Sequence, residues 1–448
     1  MLVGTVLLWR FTRGTDEVDS GALGIIPHDS RVYISGVVFA AQLAGLGLGG
    51  VGGLTLQLVT LILYTVFGKS RLSLRFGAVA IVLPLIGEAV ADSVSYDLVA
   101  ASVAIVAVVM VVSESDSVQH LTRAFAIGVA MYVGASLLLY LVGVEGGYAT
   151  SYTGESLAAF GPFSHRWRLP LAASWTHVPM VALLGITLAV TASRFCGPVV
   201  SILNITMGAL VLLGANGRVF VFVAISVVLL ASGVLSRTAS IVTVLVVQLA
   251  WVAPLWWAPL VSSGGSLLNL LVSVLPSRSA EGSLSILSLE GRTDIWSASL
   301  EAWANSPALK QWFGWGPNGY LDSGASRLYS YVFEAGFTSV LQPPHNAFLE
   351  LLLSSGIIGA ALMGAFVVFI VLLGVHLIRS AHGPETRIMV GLLTLTPLLG
   401  ATEVAVLPSN ATPVLLVWVA LVSVLAVRAA QSVHLRAGRP HPVRPFTP

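Results

Sequence analysis

Apolar runs close to the length that crosses a lipid bilayer follow one another along most of this 448-residue chain. A helix needs about 20 apolar residues to cross the hydrocarbon core. The sequence therefore predicts an all-α polytopic membrane protein with about 12 transmembrane helices. The predicted spans are residues 32–50, 53–68, 76–92, 98–113, 124–143, 177–193, 198–213, 219–236, 240–259, 347–375, 388–407 and 412–428.

The composition agrees with a chain whose main solvent is lipid. Hydrophobic residues make up 56% of the chain and charged residues 9%, whereas a soluble globular domain carries roughly 25% charged residues. The net charge of +2 comes from arginines scattered between the apolar runs, so it does not favour nucleic-acid binding. The single cysteine, Cys196, excludes an internal disulfide and a cysteine-rich metal site.

Basic residues fall in alternate connectors between the predicted spans. By the positive-inside rule these connectors face the cytoplasm, so both termini are predicted to be inside. Two long segments, residues 144–176 and 260–346, then lie outside. The basic residues predicted to be inside are Lys69, Arg71, Arg75, Arg123, Arg194, Arg237, Arg379 and Arg387 in the connectors, and Arg428, Arg436, Arg439 and Arg444 at the C-terminal end.

These assignments divide the chain into five parts in the cytoplasmic (inner) membrane. The long extracytoplasmic loop is expected to contain amphipathic helices. The parts are a cytoplasmic lead-in over residues 1–31, transmembrane helices 1–9 over 32–259, a large extracytoplasmic loop over 260–346, transmembrane helices 10–12 over 347–428 and a cytoplasmic tail over 429–448.

The long outer segment contains a passage unlike a simple connector. Arg292 opens a predicted helix whose apolar side chains fall on one face, and such a stripe predicts an amphipathic helix on the outer membrane surface. A glycine-rich turn with two aromatic residues follows over residues 313–319, and it suits a sugar platform or a close backbone approach to a ligand. An ordinary surface loop is the alternative. The apolar stripe consists of Ile295, Trp296, Leu300 and Trp303.

After that turn, a His-Asn pair opens the predicted helix 347–375, which contains a Gly-Ile-Ile-Gly stretch. In this order the motifs resemble the O-antigen ligase family, a superfamily of lipopolysaccharide ligases and polysaccharide polymerases. Each motif alone is weak, but four in the family's order and on one predicted side are specific. The matching residues are Arg292 with Trp296, Gly314 with Gly316, His345 with Asn346, and Gly356 to Gly359, together with Arg218 between the seventh and eighth spans.

The resemblance implies a membrane glycosyltransferase, and the residues discussed below predict that it works without a cofactor or a metal. Its donor would be a polyprenyl-pyrophosphate-linked glycan, and its acceptor a glycan or glycolipid hydroxyl at the extracytoplasmic face of the bilayer. Ligase and polymerase share the donor half, so the motifs do not choose between them. The implied catalytic residues are His345, Arg292 and Arg218, and the expected substrate contacts are Arg166, Arg168, Trp296, Trp315 and Asn346.

The chain departs from the family pattern before the sixth span. Family members often have an arginine and then a Pro-Asn step at that point. Here Arg166 and Arg168 are followed by His177, Val178, Pro179 and Met180, without the asparagine.

The residue types fit the chemistry of a pyrophosphate leaving group. Negative charge grows on the pyrophosphate as the anomeric bond breaks, and arginine donates two parallel hydrogen bonds to phosphate oxygens while staying charged. The outer segments contain no Asp-x-Asp pair for a divalent cation, and a single direct displacement would invert the anomeric carbon. Histidine suits the general base for the acceptor hydroxyl. At a helix start, however, His345 could also cap the helix or hydrogen-bond a loop carbonyl, and Asn346 either caps the helix or orients His345.

A transporter is the alternative from a different function class. Charged residues within membrane spans are functional candidates by default, and Glu88, Asp92 and Glu403 would form its ion path. A transporter predicts polar groups spread through the membrane. In this chain the polar groups concentrate near one predicted face, which favours the enzyme.

Overall fold

In the computed structural model of the protein, the regular elements of the described residues are all helices. No β-strand occurs in this part of the chain, which confirms the predicted helical class there. The structure describes residues 28–68, 96–113, 115, 117–146, 167–172, 176–214, 223–228, 235–262, 292–316, 318–330, 343–380, 383–402, 424–425 and 428.

The longer helices coincide with the apolar runs of the sequence, because each run is long enough to form one apolar helix. A 3₁₀ segment, Gln248–Val252, joins α8 to α9. The helices are α1 (His28–Leu48), α2 (Gly50–Gly68), α3 (Tyr96–Ser113), α4 (Val118–Leu141), α5 (His177–Thr191), α6 (Ser193–Cys196), α7 (Pro198–Gly214), α8 (Arg237–Val247), α9 (Ala253–Ser262), α10 (Arg292–Ala304), α11 (Ala308–Phe313), α12 (Gly319–Asp322), α13 (Ala325–Leu328), α14 (Ala347–Ser380) and α15 (Pro384–Thr402).

Within the described residues, four helical stretches are long and apolar enough to cross a bilayer, and each coincides with a predicted span. They are Arg31–Leu48, Val118–Leu141, Arg237–Trp257 and Ala347–Ser380. Shorter apolar helices lie at Gly50–Tyr64, Val99–Val112, His177–Thr191 and Pro198–Gly214. The predicted spans 76–92, 219–236 and 412–428 fall mostly outside the described residues. The polytopic helical architecture is therefore confirmed in part, and the total of about 12 spans stays a prediction.

One large apolar core joins α1 to α5 with α7, α14 and α15. Buried polar side chains tie these helices together: the Asn204 amide of α7 donates to the carbonyl of Ala126 in α4 over 2.9 Å. A buried amide left without such a partner would cost about 1 to 3 kcal/mol. Polar contacts of this kind therefore set how the bundle helices register against each other.

A second, smaller core holds α10 and α13 against the beginning of α14. Ile295 and Trp296 of α10 are buried in it beside Leu349 and Leu353 of α14. The apolar stripe of α10 therefore packs against protein. This corrects the expectation that the stripe lies on the membrane surface. The predicted periodicity was right, but another helix covers the stripe.

Helix α14 is broken at Gly356, where φ is 64° and ψ is −166°. Its 34 residues would extend about 51 Å as one straight helix, well beyond the roughly 30 Å of a bilayer core. The break divides it into a short arm, residues 347–355, and a long span, residues 357–380. The arm carries the His-Asn motif at its start and the span supplies the length to cross the bilayer.

Candidate functional site

Asn346 caps the arm of α14 and ties it to the neighbouring helix. Its side-chain oxygen accepts the amide hydrogen of Leu349 over 3.0 Å, the pattern of an N-cap. Its side-chain nitrogen donates to the carbonyl of Ala401 in α15 over 3.2 Å. Of the two roles left open by the sequence, capping is the one the structure shows, so His345 precedes the cap and is not itself the capping residue.

His345 is held in a left-handed backbone conformation, with φ of 48°. Such a conformation is uncommon for a residue other than glycine, and it costs on the order of 1 to 3 kcal/mol. The cap formed by the next residue, Asn346, fixes the chain at this point. Strained residues of this kind concentrate at functional sites, so the backbone supports a functional reading of His345 independently of the motif.

Arg292 is the first residue of α10 and is only 6% exposed. Trp296 lies one turn later and is fully buried in the small core that α10 shares with the arm of α14. Arg292 and His345 therefore stand on two elements that pack directly against each other. The Trp296 ring, which was expected to contact substrate, has no exposed face on which a sugar could stack, because the small core covers it.

The glycine-rich turn docks on the break in α14. The amide of Trp315 donates to the carbonyl of Leu353 and that of Gly316 to the carbonyl of Ser354, each over 2.9 Å. The helix break would otherwise leave those carbonyls without partners. A β-carbon on Gly314 would lie 2.3 Å from the Ser354 carbonyl, so only glycine fits. The Gly-x-Gly turn and the Gly-Ile-Ile-Gly stretch are thus the two sides of one backbone contact.

Trp315, one of the two aromatic residues of this turn, is partly accessible. Its indole N–H donates to the Ser306 hydroxyl over 3.0 Å. The Lys310 ammonium lies 5.1 Å from the ring centroid, a cation–π distance. These contacts hold the indole ring in place beside the arm of α14. A ring held in this way suits the predicted role of Trp315 as a platform on which a sugar stacks.

Replacing Gly314 by alanine is expected to destabilise the protein by more than about 2 kcal/mol, since it adds both a clash with α14 and a φ of 78° that alanine rarely adopts. The matched control is Gly364→Ala in the span of α14, where nothing lies within 4 Å of the added carbon. The control should be neutral or slightly stabilising. Thermal melting in detergent measures both, and equal melting temperatures would contradict the proposed contact.

Glu350 is a candidate that the sequence analysis missed. It lies on the arm of α14, is fully buried, and neither of its carboxylate oxygens has a hydrogen-bond partner among the described residues. Burial, together with the nearby Glu350, raises the pKa of Tyr329. A buried carboxylate without partners costs several kcal/mol, so it is rarely kept for stability. Its sequence signal was one acid within the apolar run that follows the His-Asn pair.

Arg168 lies on the strap, residues 167–172, which is bound to α4 and to the end of α7. The amide of Trp167 donates to the carbonyl of Gly214, the last residue of α7, over 2.8 Å. The Tyr132 hydroxyl of α4 donates to the carbonyl of Leu171 over 2.8 Å. The strap therefore places Arg168 beside the end of α7, the helix that leads toward Arg218.

The structure brings five of the predicted site residues to the contact between α10, the glycine turn and α14, while Arg168 stands on the strap. The remaining predicted residues lie outside the described part of the chain. The first group is Arg292, Trp296, Trp315, His345 and Asn346. The second group is Arg166 and Arg218, with the transporter candidates Glu88, Asp92 and Glu403.

Comparison with known families finds a match in the middle of the chain. Residues 179–364 match the family model described as O-antigen ligase. The matched region includes Arg218, Arg292 and His345, whereas Arg166 and Arg168 precede it. No curated protein matches the chain significantly. The family resemblance seen in the motifs is thereby confirmed.

Proposed function

Because the chain carries an O-antigen ligase domain over residues 179–364, we propose that it transfers a glycan from a polyprenyl-pyrophosphate donor to an acceptor hydroxyl, as a ligase or polymerase of the cytoplasmic membrane. The observation that carries the proposal is the direct packing of α10 on the arm of α14 within the matched region. That packing keeps α10, which begins at Arg292, against the arm that follows His345. Arginine suits the leaving group and histidine suits the acceptor.

In this proposal the donor pyrophosphate binds Arg292 and Arg218. Arg292 opens α10, and the partial positive charge at a helix N-terminus favours an anion at the same place. Its burial lowers the local dielectric constant, so an ionic hydrogen bond to a phosphate oxygen is stronger than it would be in water. The two arginines stabilise the charge that develops as the bond to the anomeric carbon breaks.

His345 is the proposed general base. The acceptor oxygen attacks the anomeric carbon, its proton passes to the imidazole of His345, and the bonding electrons leave with the polyprenyl pyrophosphate. One direct displacement of this kind inverts the anomeric centre. The cap at Asn346 fixes the backbone beside His345, so the base is attached at a defined point of the site.

Substrate contacts are proposed for Arg166, Arg168 and Trp315. The other two expected contacts, Trp296 and Asn346, are fully buried, so we assign them a positioning role: Trp296 holds α10 and Asn346 caps the arm of α14. Both roles keep the arginine and the histidine of the site in fixed places.

Transfer by the protein reconstituted in liposomes, with a lipid-linked oligosaccharide as donor, tests the proposal. We expect EDTA to leave the rate unchanged, because the outer segments contain no Asp-x-Asp pair and arginines carry the leaving-group charge. NMR of the product should show the opposite anomeric configuration to the donor. Loss of transfer with EDTA, or a product that retains the configuration, would show that the mechanism is wrong.

The orientation is proposed from the basic residues. At the end of α14 and α15 remote from His345, the Arg237 guanidinium donates to the carbonyl of Arg379 over 3.1 Å, and Arg428 pairs with Glu385 at 3.2 Å. A basic end of this kind suits the cytoplasmic face. The opposite end, with residues 260–346, then faces outward.

Lys310→Cys should therefore react with a membrane-impermeant maleimide added outside intact cells. The native Cys196 does not compete, because it is buried and burial raises the pKa of its thiol to about 12. The control is Arg379→Cys, expected to react only after the membrane is opened. Labelling of position 310 from the inside only would reverse the proposed orientation.

A further inference from the structure

We propose that α11 anchors the loop helices in the outer headgroup layer of the bilayer, with Leu309, Trp312 and Phe313 inserted into lipid beside the break in α14. This interaction surface is separate from the transfer reaction, and its test does not require activity.

The first observation is the exposure of these three side chains. Leu309, Trp312 and Phe313 are 69%, 53% and 61% exposed on a helix of six residues. Single exposed apolar side chains are ordinary, but a contiguous cluster marks an interaction surface. Tryptophan is also enriched where protein meets the membrane–water interface, because its indole has an apolar body and a polar N–H.

The second observation is a change of exposure along α14 at its break. Apart from partly covered Phe348 and Ser355, the arm is buried, whereas large apolar side chains of the span are open, with Leu362 57% and Phe369 53% exposed. On a helix long and apolar enough to cross a bilayer, an open apolar face is a lipid-facing one. Residues 357–380 extend about 36 Å, enough for a core of roughly 30 Å. Gly356 therefore marks the level at which α14 enters lipid.

The third observation is that α11 lies at the same level as the break in α14. A β-carbon on Gly356 would lie 2.4 Å from the carbonyl of Trp312, so the backbone of α11 lies directly against the break. The exposed side chains of α11 thus continue the lipid-facing surface that begins just after Gly356. Lys310, on the same helix, supplies a positive charge that suits the phosphate groups of lipids at this depth.

These three observations identify the occupant as a phospholipid surface. A soluble protein partner would not require the patch to stand at the level where a membrane span begins. The anchor would also fix the glycine turn, and with it Trp315, at the bilayer surface. A lipid-linked donor is confined to that surface, so the placement is useful to the proposed function but does not depend on it.

Depth-dependent quenching tests the anchor. Phe313→Cys carries a bimane label in proteoliposomes that contain lipids spin-labelled either near the headgroup or deep in the acyl chain. The matched controls are Glu301→Cys, on the exposed face of α10, and Phe369→Cys, in the middle of the span. We expect strong quenching at 313 by the shallow label, quenching at 369 by the deep label, and little at 301.

Leu309→Cys repeats the measurement in case the label at 313 disturbs the helix. Shallow quenching at 309 and 313 several-fold above that at 301 supports the anchor. Quenching at both positions no greater than at 301 overturns it. Protection of these positions from a water-soluble thiol reagent in native membranes, but not in proteoliposomes of pure lipid, also overturns it, since a protein would then be the occupant.

Discussion

His345→Asn is expected to reduce the transfer rate by roughly 10²-fold or more while leaving the protein folded. Asparagine tolerates the left-handed backbone that the structure has at this position, but its amide cannot accept the proton of the acceptor hydroxyl. If His345 had a purely structural role, asparagine would replace it with little loss of transfer rate. Single-turnover transfer from a lipid-linked donor, with thermal melting of the same sample, separates the two readings.

His345→Ala should lose activity to the same extent and should still bind the donor. The neighbouring cap is the control for position: Asn346→Ala removes two hydrogen bonds and should lower stability by about 1 to 2 kcal/mol. If His345→Asn transfers at the normal rate, histidine is not the base. The buried carboxylate of Glu350, which has no hydrogen-bond partner among the described residues, is then the next group to test.

Arg292→Ala is expected to lose about 2 to 3 kcal/mol of transition-state stabilisation, the scale of a charge-assisted hydrogen bond. That loss corresponds to roughly 30- to 150-fold in kcat/KM. Arg292→Lys should not restore full activity, because an ammonium group cannot donate two parallel hydrogen bonds to a phosphate. Transfer kinetics over a range of donor concentrations measures both variants.

Arg327→Ala is the matched control for that experiment. Arg327 is an exposed arginine of α13 in the same loop, so its removal changes the net charge equally without touching the proposed site. Because Arg292 is buried, thermal melting must accompany each rate. Equal transfer rates for the Arg292 and Arg327 variants would show that Arg292 contributes only to the charge of the loop and does not contact the pyrophosphate.

The sequence alone predicted where the helices and the motifs lie, because both are local features of the chain. A span is a property of a continuous apolar stretch, so hydropathy predicts where α4 or α14 lies without any knowledge of its neighbours. The stripe in α10 and the His-Asn start of α14 are equally local, because spacing along the chain determines them. The family resemblance rests on the order of such motifs, and the match over residues 179–364 confirms it.

The surfaces that meet were decided only by the tertiary structure. Periodicity showed that α10 has an apolar face, but not that Trp296 packs on the arm of α14. The sequence showed glycines beside Trp315, but it did not show that a side chain at position 314 would clash with a carbonyl at the break in α14. A hydropathy profile records what a residue prefers and not what covers it. The burial of Glu350 and the exposure of the α11 side chains therefore emerge only when distant segments are brought into contact.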